Sequence, residues 1–130
     1  MNRLIMKCGL FGRVSTSWEA KAEEGELNIQ FNRMEEFVKL KDNNDPRIDW
    51  VVSCRYREVA EYELDLGRPE FDRIIRDVKD GKIDTVIVCK TNRIARSIRE
   101  FFALWGFLYE HNVQFISLDE ITDVVLNRAL

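Results

Sequence analysis

Two hydrophobic periods alternate along the chain. Met6 to Arg13 is an apolar run of strand character, whereas Ser15 to Glu26 is polar and acidic and reads as a loop. Leu27, Phe31, Met34, Phe37 and Val38 then recur at helical spacing, which predicts a helix to about Lys41, closed by the turn signal "DNNDP". "DWVVSCRY" is rich in β-branched and aromatic residues and predicts a second strand. "EVAEYELDLG" has no clear period and reads as a loop. In "RPEFDRIIRDVKDGK", Pro69 suits the first helical position. Phe71, Ile74, Ile75 and Val78 share one face, and Gly81 marks the end. "IDTVIVCK" predicts a third, fully buried strand. Thr91 or Asn92 then caps a helix in which Ile98, Phe101, Phe102, Trp105, Leu108 and Tyr109 share a face, and "VQFISL" is the fourth strand.

The βαβαβαβ order with short connections predicts an α/β fold. One domain spans residues 1–130, with a mostly parallel central sheet of four to five strands flanked by helices in three layers. Such sheets bind ligands beyond the carboxyl ends of their strands. Leu104 and Phe107 fall off the main face of the long helix, Gly106 weakens it, and "TDVVLNRAL" follows the last strand closely. These features predict that a further helix or a second chain covers that surface.

Composition narrows the chemistry. The chain is 45% hydrophobic with a net charge of −3, so any affinity for nucleic acid rests on a local cluster rather than on bulk charge. Arginine outnumbers lysine, 13 to 7, which favours fixed, planar anion contacts. Cys8, Cys54 and Cys89 lie far apart in apolar runs and there is one histidine, His111, so neither a zinc site nor a disulfide framework is predicted. The cysteines read as reduced structural residues of a cytoplasmic protein. No stretch approaches a membrane span, and no cofactor or metal is implied.

The arginines carry the functional signal. In the predicted fold, strand one ends at Arg13-Val14-Ser15, strand three ends just before Asn92-Arg93-Ile94-Ala95-Arg96, and Arg68 precedes the helix that Pro69 opens. Cations at helix N-termini are locally unfavourable, by roughly 0.3–1 kcal/mol each. A bound anion would resolve that conflict, because helix N–H groups and guanidinium forks both suit phosphate. Any one of these arginines is readily explained by a nearby carboxylate. Four of them at one sheet edge beside a serine favour an anion.

Those same residues resemble the catalytic domain of the serine recombinases: resolvases, invertases and large serine integrases. "RVST" (Arg13 to Thr16) resembles the nucleophile motif, and Gln30 the glutamine that follows a loop later. "GRPEFDRIIRDVKDGKID" resembles the Arg-Pro helix and its turn, "VIVCKTNRIARS" the strand followed by Asp-Arg-x-x-Arg, and "VQFISLDEITD" the last strand and link. The long "AEEGELNIQ" connection is more similar to the large integrases. The four motifs, in order, extend over residues 6–123.

The resemblance implies site-specific DNA recombination through a 5′-phosphoserine intermediate. Ser15 would be the nucleophile; Arg13, Arg68, Arg93 and Arg96 would bind the scissile phosphate; Gln30 would hold the active-site loop; and Asn92 would help position the phosphate. It also implies a DNA partner and a homo-oligomer, a dimer that becomes a tetramer during exchange. A dimerisation helix and a DNA-binding domain would lie outside these 130 residues. Two positions depart from the family pattern. Asn92 stands where aspartate is usual and can carry no charge, and the Asp…Ser-Gly element before Arg-Pro has no counterpart beyond Glu58.

Two rival readings follow. One is an inert binding or dimerisation module. The other is a metal-dependent nuclease, which would need acids at the strand ends where arginines stand instead, since Asp49 and Asp84 open their strands. A receiver-like signalling domain lacks the same acids. Trp18, three residues beyond Ser15, reads either as packing on the core or as touching DNA, and His111 reads as a surface residue.

Overall fold

The computed structural model describes residues 4–15, 25–59 and 68–120. Its elements run β1 (Leu4–Val14), α1 (Glu26–Asn44), β2 (Ile48–Val59), α2 (Pro69–Lys79), β3 (Thr85–Val88), a 3₁₀ turn (Thr91–Arg93), α3 (Ile98–Glu110) and β4 (Gln114–Ser117). The four strands form one parallel sheet in the order β2-β1-β3-β4. The predicted α/β class and strand count are therefore observed. The loop expected after Ser15, with Thr16 and Trp18, most of "EVAEYELDLG", and the "TDVVLNRAL" segment lie outside the described residues.

Each face of the sheet has its own core. Cys8, Leu10 and Val14 of β1 pack with Leu27, Phe31, Met34 and Val38 of α1. Phe11 packs on the opposite face with Ile74 and Val78 of α2 and Leu104 and Leu108 of α3. Alternating side chains of one strand thus serve two layers, as expected of a strand buried on both sides.

Several boundaries differ from the sequence expectation, each for a physical reason. Helix α1 continues through "DNN" to Asn44, whose side-chain amide donates to the Leu40 carbonyl (2.8 Å). It stops because Asp45 precedes Pro46 and is extended, with φ −119°. Strand β2 runs on to Val59 because it stays paired with β1 out to Val14, a partner that local sequence does not reveal. Helix α2 matches its prediction: Pro69 opens it, and Gly81 beyond its end takes φ 72°, a left-handed value that glycine adopts without a Cβ penalty.

Helix α3 corrects two expectations. It does not begin at Thr91 or Asn92, which lie in the separate 3₁₀ turn. Ser97 caps it, with Oγ accepting the Glu100 N–H at 3.1 Å. Its buried face is also rotated from the predicted one. Leu104 and Leu108 are in the core with Phe101, Trp105 and Phe107 against it, whereas Ile98, Phe102 and Tyr109 are 75%, 64% and 59% exposed. The helix carries two apolar stripes, and contact with Val113 and Phe115 selects the one through Leu104. Leu104 and Phe107 are therefore not the uncovered positions.

Strand β2 has one extra residue. Cys8 pairs with Val52 but Gly9 pairs with Cys54, so Ser53 forms a bulge. The bulge inverts which face the following side chains occupy. Trp50 and Val52 face α1, whereas Cys54 and Tyr56 face α2 and α3. The outer edge of β2 is answered by side chains: Asp42 takes the Trp50 N–H, Glu70 takes the Arg57 N–H, and Arg73 donates to the Arg55 carbonyl (3.0, 3.3 and 2.7 Å). Such capping blunts an otherwise adhesive edge.

Tyr56 ties this strand to α2. It is fully buried and donates to Asp77 Oδ2 at 2.7 Å. Burial, and then the bond to Asp77, hold the phenol well above its ordinary pKa, so it remains a donor. Replacing Tyr56 by phenylalanine leaves a buried carboxylate short of its strongest partner. Urea unfolding of Tyr56→Phe is expected to show a loss of about 1–3 kcal/mol.

Candidate active site

The chain leaves β1 toward β2 on one side and later returns to β3 on the other. The sheet therefore splits between β1 and β3, and a crevice opens at their carboxyl ends, where open α/β sheets bind ligands. Strand β3 stops at Val88, opposite Phe11, while β1 continues to Val14. Past Phe11, β1 has no strand neighbour on that side.

Gln30 fills the gap. Its Oε1 accepts the Arg13 N–H (3.0 Å) and its Nε2 donates to the Arg13 carbonyl (2.9 Å), so one side-chain amide does what a paired residue would do. It is 1% exposed, and its own carbonyl accepts from the Cys89 thiol (3.4 Å). Gly12 makes the reach possible. A Cβ there would come within 2.8 Å of Phe31 and 3.0 Å of Leu27, the residues flanking Gln30 on α1. Ser15 follows the clamped segment and is exposed.

The β3–α3 connection forms the other wall. Arg13 Nη2 donates to the Asn92 carbonyl (2.7 Å), and Arg93 Nη1 donates to the Arg13 carbonyl (3.4 Å). Glu120, beyond β4, anchors this turn by accepting from the Thr91 N–H (2.8 Å), the Thr91 hydroxyl (3.0 Å) and the Ser117 hydroxyl (2.8 Å). Burial works against the Glu120 charge, but the Thr91 and Ser117 bonds and nearby Lys90 outweigh it and hold its pKa below the usual carboxylate value.

Arg68 enters from the start of α2. The bulge sets Glu58 opposite Arg13. Glu58 accepts from Arg68 Nε (3.1 Å to each oxygen) and Nη2 (2.8 Å). Arg68 Nη1 donates to Glu100 (2.7 Å), and its guanidinium stacks 4.4 Å from the Phe71 ring centroid. Arg93 pairs with Glu26 at 3.4 Å. Two of the four predicted arginines are thus met by carboxylates, while the Arg96 side chain is exposed.

The four guanidiniums share one field. The Arg13 pKa is lowered, first by burial and then by the charges of Arg68, Arg96 and Arg93, with Glu58 opposing. Like charges held together and part-buried raise the free energy of the empty site, and an anion would relieve it. The structure therefore gathers Arg13, Arg68, Arg93, Arg96, Asn92 and Gln30 at one crevice, with Ser15 just past the end of the strand that forms its wall. Arg93 and Arg96 lie on the turn and the link beyond it, not on a shared helix face. His111 is exposed at the far end of α3.

Three carboxylates of this site, Glu26, Glu100 and Glu120, are not among the residues the sequence singles out. Glu100 had a visible signal, the S-x-x-E spacing from Ser97 that marks a helix start. Glu120 has the same spacing from Ser117, but nothing local marks its second partner, Thr91, which belongs to another element. Among the described residues, no group of three or more His, Cys, Asp or Glu side chains is placed to hold a metal ion, and no helix there is long and apolar enough to cross a membrane.

Comparison with known proteins identifies the family and fold. Residues 9–127 match the family described as Resolvase, N terminal domain. Among solved structures, the chain is similar to the N-terminal catalytic domain of TP901-1 integrase, with 28% identity over 88% of this chain and 79% of that one, and a TM-score of 0.73. A resolvase family site-specific recombinase from Streptococcus pneumoniae shares the fold at 24% identity, over 95% and 81% of the two chains, with a TM-score of 0.71. No curated protein matches the sequence.

The clamp makes a direct prediction. Gln30→Ala leaves the Arg13 N–H and carbonyl without their buried partner. Stability is expected to fall by about 1–3 kcal/mol in urea unfolding, with faster hydrogen exchange at the Arg13 amide.

Proposed function

The chain belongs to the Resolvase, N terminal domain family, and on that premise we propose that it is the strand-cleaving domain of a site-specific DNA recombinase. The observation that carries this reading is the convergence at the strand-end crevice, two residues from Ser15, of Arg13 in contact with Asn92 and Arg93, of Arg68 held by Glu58 opposite Arg13, and of the Arg96 segment joined to Arg68 through Glu100.

In the proposed reaction, Ser15 Oγ attacks the scissile phosphorus. The new Oγ–P bond gives a 5′-phosphoserine as the P–O3′ bond breaks, and the serine proton ends on the departing 3′ oxygen. Attack by a 3′ hydroxyl reverses the step, so bond energy is conserved in the covalent link. Negative charge spread over the phosphoryl oxygens is stabilised by fixed guanidiniums, which act electrostatically and need no reorganisation at the moment of reaction. Arg13 and Arg93 face that charge, Arg68 and Arg96 extend the positive wall, and Gln30 holds the end of β1 that carries the nucleophile. Asn92 positions Arg13 through its backbone carbonyl, a contact that is indifferent to the asparagine side chain. This supports activity despite the departure from aspartate.

The partner in this reading is DNA. The net charge of −3 implies that these residues bind it weakly and that affinity falls as salt rises. The exposed stripe of Ile98, Phe102 and Tyr109 suits the apolar contact of a homo-oligomer. The inert-module reading keeps one supporting observation, the carboxylates already on Arg68 and Arg93.

Nicked duplex DNA that traps the intermediate separates these readings. A covalent adduct is expected with the wild-type protein in EDTA and none with Ser15→Ala. Arg93→Ala should slow adduct formation by about 10²–10³-fold. An adduct that persists in Ser15→Ala, or that requires added divalent metal, would falsify the proposal. No adduct from either the wild-type protein or Asn92→Asp would favour the inert module.

A further inference from the structure

Glu100 lies in the first turn of α3, with its N–H held by Ser97 Oγ at 3.1 Å. Its side chain turns back toward the crevice, where a single oxygen, Oε1, accepts from Arg68 Nη1 (2.7 Å) and from the Arg96 N–H (3.0 Å). Those donors come from separate segments, the start of α2 and the link after the 3₁₀ turn. Two convergent donors on one anionic oxygen is the arrangement that binds a phosphate oxygen.

The two carboxylates on Arg68 are not equivalent. Glu58 grips Nε and Nη2 with both oxygens, and its side chain is 7% exposed. Glu100 uses one oxygen on Nη1, and its side chain is 32% exposed. Glu58 is therefore the fixed half of the arrangement and Glu100 the exchangeable half. A displaced Glu100 has a favourable alternative. At the third helical position, a carboxylate interacts well with the positive end of the helix and has the spacing to complete a capping box on the N–H of Ser97.

We infer that Glu100 is an internal stand-in for a phosphate oxygen. It occupies an anion position formed by Arg68 Nη1 and the Arg96 N–H, and it yields that position to a backbone phosphate. The inference rests on the reading of the crevice as a phosphate site and adds a competitor to it. Glu100 keeps Arg68 aimed at the crevice while the site is empty, and its negative charge sets how strongly a phosphate must bind to enter.

The test is titration of the 130-residue chain with inorganic phosphate, followed by NMR at the Arg68 Nε–H and the Arg96 amide, in the wild-type protein and in Glu100→Gln. Glutamine keeps the size and removes the charge. Both resonances are expected to move together, and Glu100→Gln should bind phosphate more tightly by on the order of fivefold, the factor that a part-exposed ion pair corresponds to. Ser97→Ala loosens the helix start but leaves the carboxylate in place, and should keep wild-type affinity. Equal tightening in Ser97→Ala would trace the effect to the helix and overturn the inference. It is also overturned if Glu100→Gln binds no more tightly, or if Arg13 and Arg93 respond to phosphate while Arg68 and Arg96 do not; in those cases the phosphate site itself stands. If none of the four arginines responds in either protein, both readings fail.

Discussion

A side-chain amide holds the end of β1 where a strand is missing. Phe11 is the last residue of β1 with a partner in β3, and beyond it the backbone of Arg13 is satisfied by Gln30. A buried, unpaired backbone N–H and carbonyl would be costly, and water filling the gap would loosen the segment. Because the amide of Gln30 closes the gap, Arg13 stays in extended conformation one residue short of the strand end. Ser15 follows directly after the strand end, two residues beyond Arg13, which contacts the β3–α3 turn. The close approach of α1 across Gly12 permits this arrangement.

The rest of the site is an electrostatic balance built on that fixed point. Four guanidiniums around one crevice repel one another, and part of that cost is offset by Glu58, Glu100 and Glu26. The carboxylates do not neutralise the crevice equally. Glu58 is buried and bidentate and belongs to the scaffold, whereas Glu100 and Glu26 are part-exposed and each meets its arginine side chain through one oxygen. Such a site remains attractive to an anion while staying stable when empty. It also accommodates an acidic chain within a family that acts on DNA, because local arrangement rather than net charge sets the potential at the crevice.

Glu58 stands in this balance only because of the bulge at Ser53. In the register that β1 and β2 share before the bulge, Arg13 would lie opposite Arg57, a like-charge pair next to an already positive site. One extra residue in an edge strand replaces that arginine by a carboxylate and turns it toward α2, where Arg68 enters. The same shift delivers Tyr56 to Asp77. A local irregularity thus sets both the electrostatics of the site and the contact that ties β2 to α2.

Hydrophobic period, punctuation by Pro69 and Gly81, and the βα alternation determined the fold class, the succession of strands and helices along the chain, and the strand-end edge to which Arg13, Asn92 and Arg93 would belong. These are consequences of nearest-neighbour chemistry, and the residues that encode them are adjacent in the chain. What lay beyond local reach depended on partners far apart in sequence. The extension of β2 to Val59 follows from its pairing with β1. The choice of the Leu104 stripe over the Ile98–Phe102–Tyr109 stripe follows from Val113 and Phe115. The bidentate hold of Glu58 on Arg68 follows from a bulge that a single sequence does not mark. The arginines themselves were legible as residues, but the carboxylates that occupy them were not. An ion pair is fixed by where two side chains end up in space, and only the packed sheet brings Glu58, Glu100 and Arg68 to one point.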